Sequence, residues 1–201
     1  MKTRMLFAIA LVGILAGEVM YGDATERFLL DDFESFSNAL FSKTATYKKD
    51  PSDAKKGTTK EHAYSGEQSL YIGFKKEATG FCGYYTELIS MGKYFDASAY
   101  SKLTFMVKGK RGEENFQVGL ADKYWYEAED SVKSADIGNY LPEGKVTQEW
   151  QKAEIPLNVY TGLRPDFDLT KLGSMAICFE TACFPDGTGK GVIYIDDIAF
   201  E

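Results

Sequence analysis

Thirty acidic residues, one histidine and three cysteines are what this 201-residue chain offers for chemistry. With a single imidazole, His62, there is no histidine-rich metal centre, and any histidine-based triad would have to use it. His62 lies in a polar stretch without a partner at a telling spacing and reads as a solvated surface residue. Cys82, Cys178 and Cys183 are too few for a four-cysteine zinc site. They allow three single pairings with one odd thiol, or three buried thiols, and no Cys-x-x-Cys marks a nucleophile. Two carboxyls across a cleft would suit glycoside hydrolysis. Glu87, Glu127, Glu129 and Glu180 are candidates, but no spacing selects a pair, so the chain is not read as an enzyme. Gly187–Gly191 (GTGKG) lacks the spacing and following helix of a phosphate loop and reads as a hairpin turn.

The acids near the two ends say more. LDDFE at Leu30–Glu34 puts Asp32 and Glu34 on one face of a strand. IDDI at Ile195–Ile198 puts Asp196 on the same parity as Ile198 and Phe200, which belong in a core. A carboxylate there is costly unless it is paired or metal-bound. Oxygen ligands of this kind suit calcium, with the turn Tyr64–Gln68 as a source of carbonyls. The alternative is that the acids are solvated or hydrogen-bonded to backbone. Tyr124, Trp125 and Tyr126 stand together in a polar setting and are either ligand-stacking loop aromatics or a cap on the core edge.

The elements that must position these residues are strands. Period-two alternation runs through Ser69–Phe74, Leu103–Lys108, Phe116–Leu120 and Gln151–Leu157, the last with a proline that suits an edge or an end. Met175–Glu180 and Gly191–Phe200 continue the set, with Leu29–Glu34 and Phe81–Leu88 as further candidates. Short strands broken by Gly, Asp and Lys turns predict an all-β antiparallel sandwich or barrel. Two polar connections interrupt them: the mixed-charge Lys43–His62, read as a solvated loop, and Tyr124–Ser134.

The chain is 44% hydrophobic, 14% aromatic and 26% charged, a globular composition. A net charge of −7 disfavours nucleic acid as a partner. Residues 1–24 read as a signal peptide: Lys2 and Arg4, then the apolar Leu6–Ala16, then Gly22 and Ala24 at cleavage spacing. LAGE at Leu15–Glu18 lacks a lipid-bearing cysteine. The expectation is a secreted, periplasmic or cell-surface protein without membrane insertion after cleavage, with residues 25–201 forming one domain.

Taken in order, LDDFE, YSGEQSLYIGF, FDASAYSKLTFMVKG, EWQKAEIPL and VIYIDDIAF resemble the galactose-binding-like jelly-roll carbohydrate-binding modules, family 11 above all, over residues 28–201. The resemblance implies a β-sandwich with a cleft for one polysaccharide or oligosaccharide chain, and a structural calcium held by Asp32, Glu34 and Asp196. It implies a structural role for Trp150. It also implies a ligand-binding set in which Phe81, Phe167 and Phe179 take cleft positions where the family shows tyrosine, and Cys82 takes a tryptophan position. Arg164, in RPDF, is an orienting donor, Trp125 a further stacking ring, and Asp136 and Asn139 further polar candidates. The expected function is non-catalytic glycan binding. The alternative is a structural or assembly component of the cell surface, with surface-protein partners.

Overall fold

In a computed structural model the described residues are 27–201, so the expected signal peptide at 1–24 lies outside them. Alternating sequence becomes thirteen strands: β1 Phe28–Asp31, β2 Thr44–Lys49, β3 Asp53–Thr59, β4 Ser69–Lys76, β5 Phe81–Glu87, β6 Ile89–Ser90, β7 Lys93–Tyr94, β8 Lys102–Gly109, β9 Gln117–Asp122, β10 Val132–Asp136, β11 Gln151–Pro156, β12 Leu172–Phe179 and β13 Gly189–Phe200. Two short helices, α1 Lys123–Glu127 and α2 Asn158–Leu163, join them. One sheet has the order β11-β8-β13-β4-β3, with β1 beside the last residues of β13, where β4 has ended. The second has the order β10-β9-β12-β5-β2, and β6 and β7 form a small hairpin. All pairings are antiparallel.

The expected all-β sandwich is therefore present, and its core lies between the sheets. Leu70, Ile72 and Phe74 of β4, Leu103, Phe105 and Val107 of β8, and Ile193 and Ile195 of β13 face inward from the first sheet. Val118 and Leu120 of β9, Tyr84 of β5, and Met175, Ile177 and Phe179 of β12 meet them from the second. Burying one such side chain is worth roughly 1.5–3 kcal/mol. This repeated alternation, more than any local propensity, holds the register.

Three expectations are corrected. Lys43–His62 is not one loop: it contains β2 and β3, the outermost strands of the two sheets. Their lysines hide the alternation, and lysine on an unpaired edge discourages pairing with another chain. Gly187–Gly191 is not a hairpin turn, since Gly189–Gly191 already belong to β13 and the chain here crosses from one sheet to the other. His62 is not fully solvated; it is half-buried, its ring 4.2 Å from that of Tyr194. Tyr124–Ser134 holds α1, whose first turn is capped by Asp122 accepting from the Trp125 N–H at 3.1 Å, and the start of β10.

The three cysteines are free thiols, all buried. Cys82 faces the core, and the Cys183 thiol donates to the Cys178 carbonyl. Burial pushes the Cys82 thiol up to about 11 and the Cys183 thiol up to about 12, which keeps both protonated and inert.

Candidate functional site

The outer face of the five-stranded sheet collects most of the candidate side chains. Alternation along β5 points Cys82, Tyr84 and Thr86 inward and leaves Phe81, Gly83, Tyr85 and Glu87 on the outside. On the neighbouring strands the outward positions are small: Ala176 and Cys178 of β12, Gly119 and Ala121 of β9. The result is a low floor between taller side chains.

Aromatic rings stand along this floor. Phe81 is 38% exposed at one end. Tyr47 of β2 lies beside it, with centroids 6.1 Å apart, and crosses β5 at Gly83. A Cβ at Gly83 would sit 2.6 Å from Tyr47 Cζ, so only glycine lets the ring lie flat there. At the other end Tyr126 of α1 covers Gly173 in the same way. Its hydroxyl is 3.2 Å from Glu87 Oε1, and its ring is 6.2 Å from that of Tyr94. Lys43 lies 5.6 Å over Tyr85, and Lys49 lies 6.0 Å over Phe81. Polar groups fill the remaining border. Asp136 accepts from Asn115 Nδ2 at 2.9 Å and Gln117 Nε2 at 3.4 Å, while Lys133 reaches Asp130 at 2.8 Å and Glu180 at 4.0 Å. Rings of this kind stack on apolar C–H faces, and the amides, carboxylates and ammonium groups pair with hydroxyls.

The expected site residues are only partly gathered here. Phe81 is on the face, and Asp136 borders it. Trp125 is half-buried at the α1 end and Arg164 is exposed, with its guanidinium 5.2 Å over the indole. Asn139 is exposed but turned back, donating to the Asp136 carbonyl at 2.9 Å. Phe179 does not line the face. It shares the inward parity of Met175 and Ile177, is fully buried, and stacks on Phe74 at 3.8 Å. Phe167 is likewise buried, its ring stacked on Tyr160 at 5.9 Å. Tyr47, Tyr85 and Gln117 were not foreseen, whereas Tyr126 is one of the three loop aromatics expected either to stack on a ligand or to cap the core edge. The alternation of FCGYYTE carried the signal for Tyr85, because it shares a face with Phe81; Tyr47 lay in an unrecognised strand.

The acidic ends converge differently from expectation. β13 has an irregular register between Asp196 and Ala199, and Asp197 has φ of +51°, the mark of a bulge. The extra residue returns Ile198 and Phe200 to the core face, while Asp196 keeps the opposite parity from Ile193 and Ile195. Asp196 is nonetheless fully buried, beneath the 64–68 turn. Its Oδ2 accepts from the N–H groups of Tyr64 at 2.9 Å and Ser65 at 3.2 Å. Glu34 Oε1 accepts from Glu67 and Gln68 N–H at 2.8 and 2.9 Å. Asp32 accepts from Glu34 N–H. The turn thus presents donors, not carbonyls, to these acids, and among the described residues no three acids gather as a metal-binding group. This donor set does not fit calcium. The buried acid of LDDFE is Asp31, not Asp32; burial first, then neighbouring acids, push its carboxyl up to about 6.

The family model described as carbohydrate binding domain 30 matches residues 30–201. The chain is similar in structure to the family 11 carbohydrate-binding module of a cellulosomal cellulase of Clostridium thermocellum, with TM-score 0.63, 15% identity, and 88% of this chain and 95% of that chain covered. The same family in complex with a β-1,3-1,4-mixed-linked tetrasaccharide gives TM-score 0.63 and 14% identity over 87% of this chain and 94% of that one. A family 30 module of another cellulosomal cellulase of Clostridium thermocellum gives TM-score 0.56 and 23% identity, covering 73% of this chain and 81% of that chain. No curated protein matches the chain. The match over nearly all described residues, on a sandwich of this kind, makes the chain a member of the carbohydrate binding domain 30 family.

Proposed function

We propose that the chain binds a single β-glucan chain on the outer face of its five-stranded sheet, without chemistry. One observation carries this: Phe81, Tyr85 and Tyr126 stand on one face over a floor of small residues, with Glu87, Gln117 and Asp136 within the same border. Phe81 and Tyr85 are four residues apart on one strand, about 13 Å at ~3.3 Å per residue, so a ligand touching both must be extended. The mixed-linked tetrasaccharide held by a family 11 module supports a glucan as the first ligand to try. Arg164 on Trp125 extends the proposed face at the α1 end. Secretion through residues 1–24 belongs to the same proposal, and the N-terminal sequence of the exported protein tests it.

The test is calorimetric titration with mixed-linkage β-glucan. Wild type is expected to bind, and Tyr85→Ala is expected to weaken binding at least 30-fold with its melting temperature little changed, since a central aromatic anchor is worth about 2 kcal/mol or more. Undiminished binding by Tyr85→Ala would remove this face from the function.

An assembly role has its own supporting observation, in the almost fully exposed Phe41 and Met91. Sedimentation at rising concentration tests it, and a single monomer species throughout would count against self-assembly.

A further inference from the structure

We propose that the flank of the sandwich between the edges of β2 and β3 is a second carbohydrate contact, in which two neighbouring sugar hydroxyls enter a pocket between Asp31 and Lys56 while the ring rests on Phe36. The inference rests on the carbohydrate-binding reading but uses a different surface from the sheet face.

On this side the edge strands β2 and β3 approach one another and are joined by the Lys56–Thr44 hydrogen bond. A cavity of about 100 Å³ remains, bordered by Asp31, Phe36, Asn38, Thr44, Lys56 and Tyr84. Lys56 sits at an inward position of β3, near the open flank. Its ammonium donates to the Thr44 hydroxyl of β2 and lies 5.6 Å over the Tyr84 ring. Partial burial lowers its affinity for the proton. Asp31 is 7% exposed, and its Oδ1 accepts from the Phe33 N–H at 2.9 Å. A buried carboxylate and a partly desolvated ammonium thus face one pocket, yet Lys56 donates its hydrogen bond to a hydroxyl and not to the acid.

The charges select the ligand. A metal cation would meet Lys56, and a simple anion would meet Asp31. A hydroxyl both donates and accepts, so adjacent hydroxyls satisfy carboxylate and ammonium together. The volume sets how much enters: at about 100 Å³ the cavity is well under the ~300–1,000 Å³ of pockets that enclose a small ligand, so hydroxyl groups enter and a whole sugar does not. The ring must stay outside, where Phe36 stands fully exposed on the pocket border. Core packing gives no reason for a phenylalanine there. Strand β2 serves both surfaces, with Tyr47 turned to the sheet face and Thr44 turned to the flank.

Amide chemical-shift titration with cellohexaose tests this on wild type, Tyr85→Ala, Phe36→Ala and Asp31→Asn. Shifts are expected at residues 31–38 and 56–58, separate from those at 81–87 and 126. Tyr85→Ala should lose the second set and keep the first. Phe36→Ala should weaken the first set at least fivefold and leave the second unchanged. Asp31→Asn should do the same as Phe36→Ala, and so should Lys56→Gln as an independent second variant. Shifts confined to 81–87 and 126 would overturn the flank site and leave the proposed function standing. Shifts at neither surface would overturn both for this class of glucan.

Discussion

Burial decides which aromatic residues can touch a ligand. Phe179 stacks on Phe74 and meets Phe116 edge-on at 6.2 Å, with no exposed surface of its own. Phe179→Ala is expected to cost about 3–5 kcal/mol of stability through the cavity it leaves, read by urea denaturation. A variant of unchanged stability that had lost glycan binding would return Phe179 to the site. Asp31 yields a pH prediction. Burial lifts its folded carboxyl from the ordinary aspartate value of 3.8 to about 6, so the fold favours the protonated form. Its contribution is therefore most favourable below about 4, declines as pH rises towards 6, and is a constant cost above. Two units at ~1.4 kcal/mol each put that cost near 3 kcal/mol. Asp31→Asn keeps the acceptor for the Phe33 N–H, so it is expected to raise the melting temperature at pH 7 and change little at pH 4. An equal effect at both pH values would contradict the burial argument.

Between β1, the 64–68 turn and β13, carboxylates bind backbone N–H groups directly. Charge-assisted bonds of this kind are worth ~1.5–3 kcal/mol each, so they are expected to hold the turn by themselves. A chelator is expected to leave the melting temperature within a degree, whereas Glu34→Ala should lower it by several. A chelator-induced fall that added calcium reversed would restore the metal. The bulge at Asp197 explains why strand parity misled here: one extra residue reverses the facing of everything on one side of it, and nothing in IDDI announces it. Strands with large apolar residues, such as β4, β8 and β13, could be read from alternation alone. β2 and β3 could not, because lysine and threonine occupy the half of each edge strand that an interior strand would fill with apolar side chains.

For the molecule as a whole, charge and face chemistry separate. The chain carries −7, but Lys43, Lys49 and Lys133 border the sheet face beside Glu87, Glu180 and Asp136, so the face is mixed. Binding of a neutral glucan is therefore expected to change less than about twofold between 0.05 and 0.5 M salt, where screening contracts to a few ångströms. A steep loss with salt would point to an acidic glycan held by those lysines. The order of motifs along the chain made the sandwich legible, since it reflects how strands must pair. The site was half legible, because which aromatics reach solvent depends on partners across the sheet. One such partnership has a practical use. Tyr47 lies over the second sheet beside Cys178, and its hydroxyl lowers the proton affinity of a thiol that burial otherwise raises. When the ring lifts, that sulfur becomes open to a thiol reagent, so the labelling rate of Cys178 counts the ring's excursions. A sugar laid across Tyr47 would slow that clock, which gives an optical readout of occupancy with no label on the sugar.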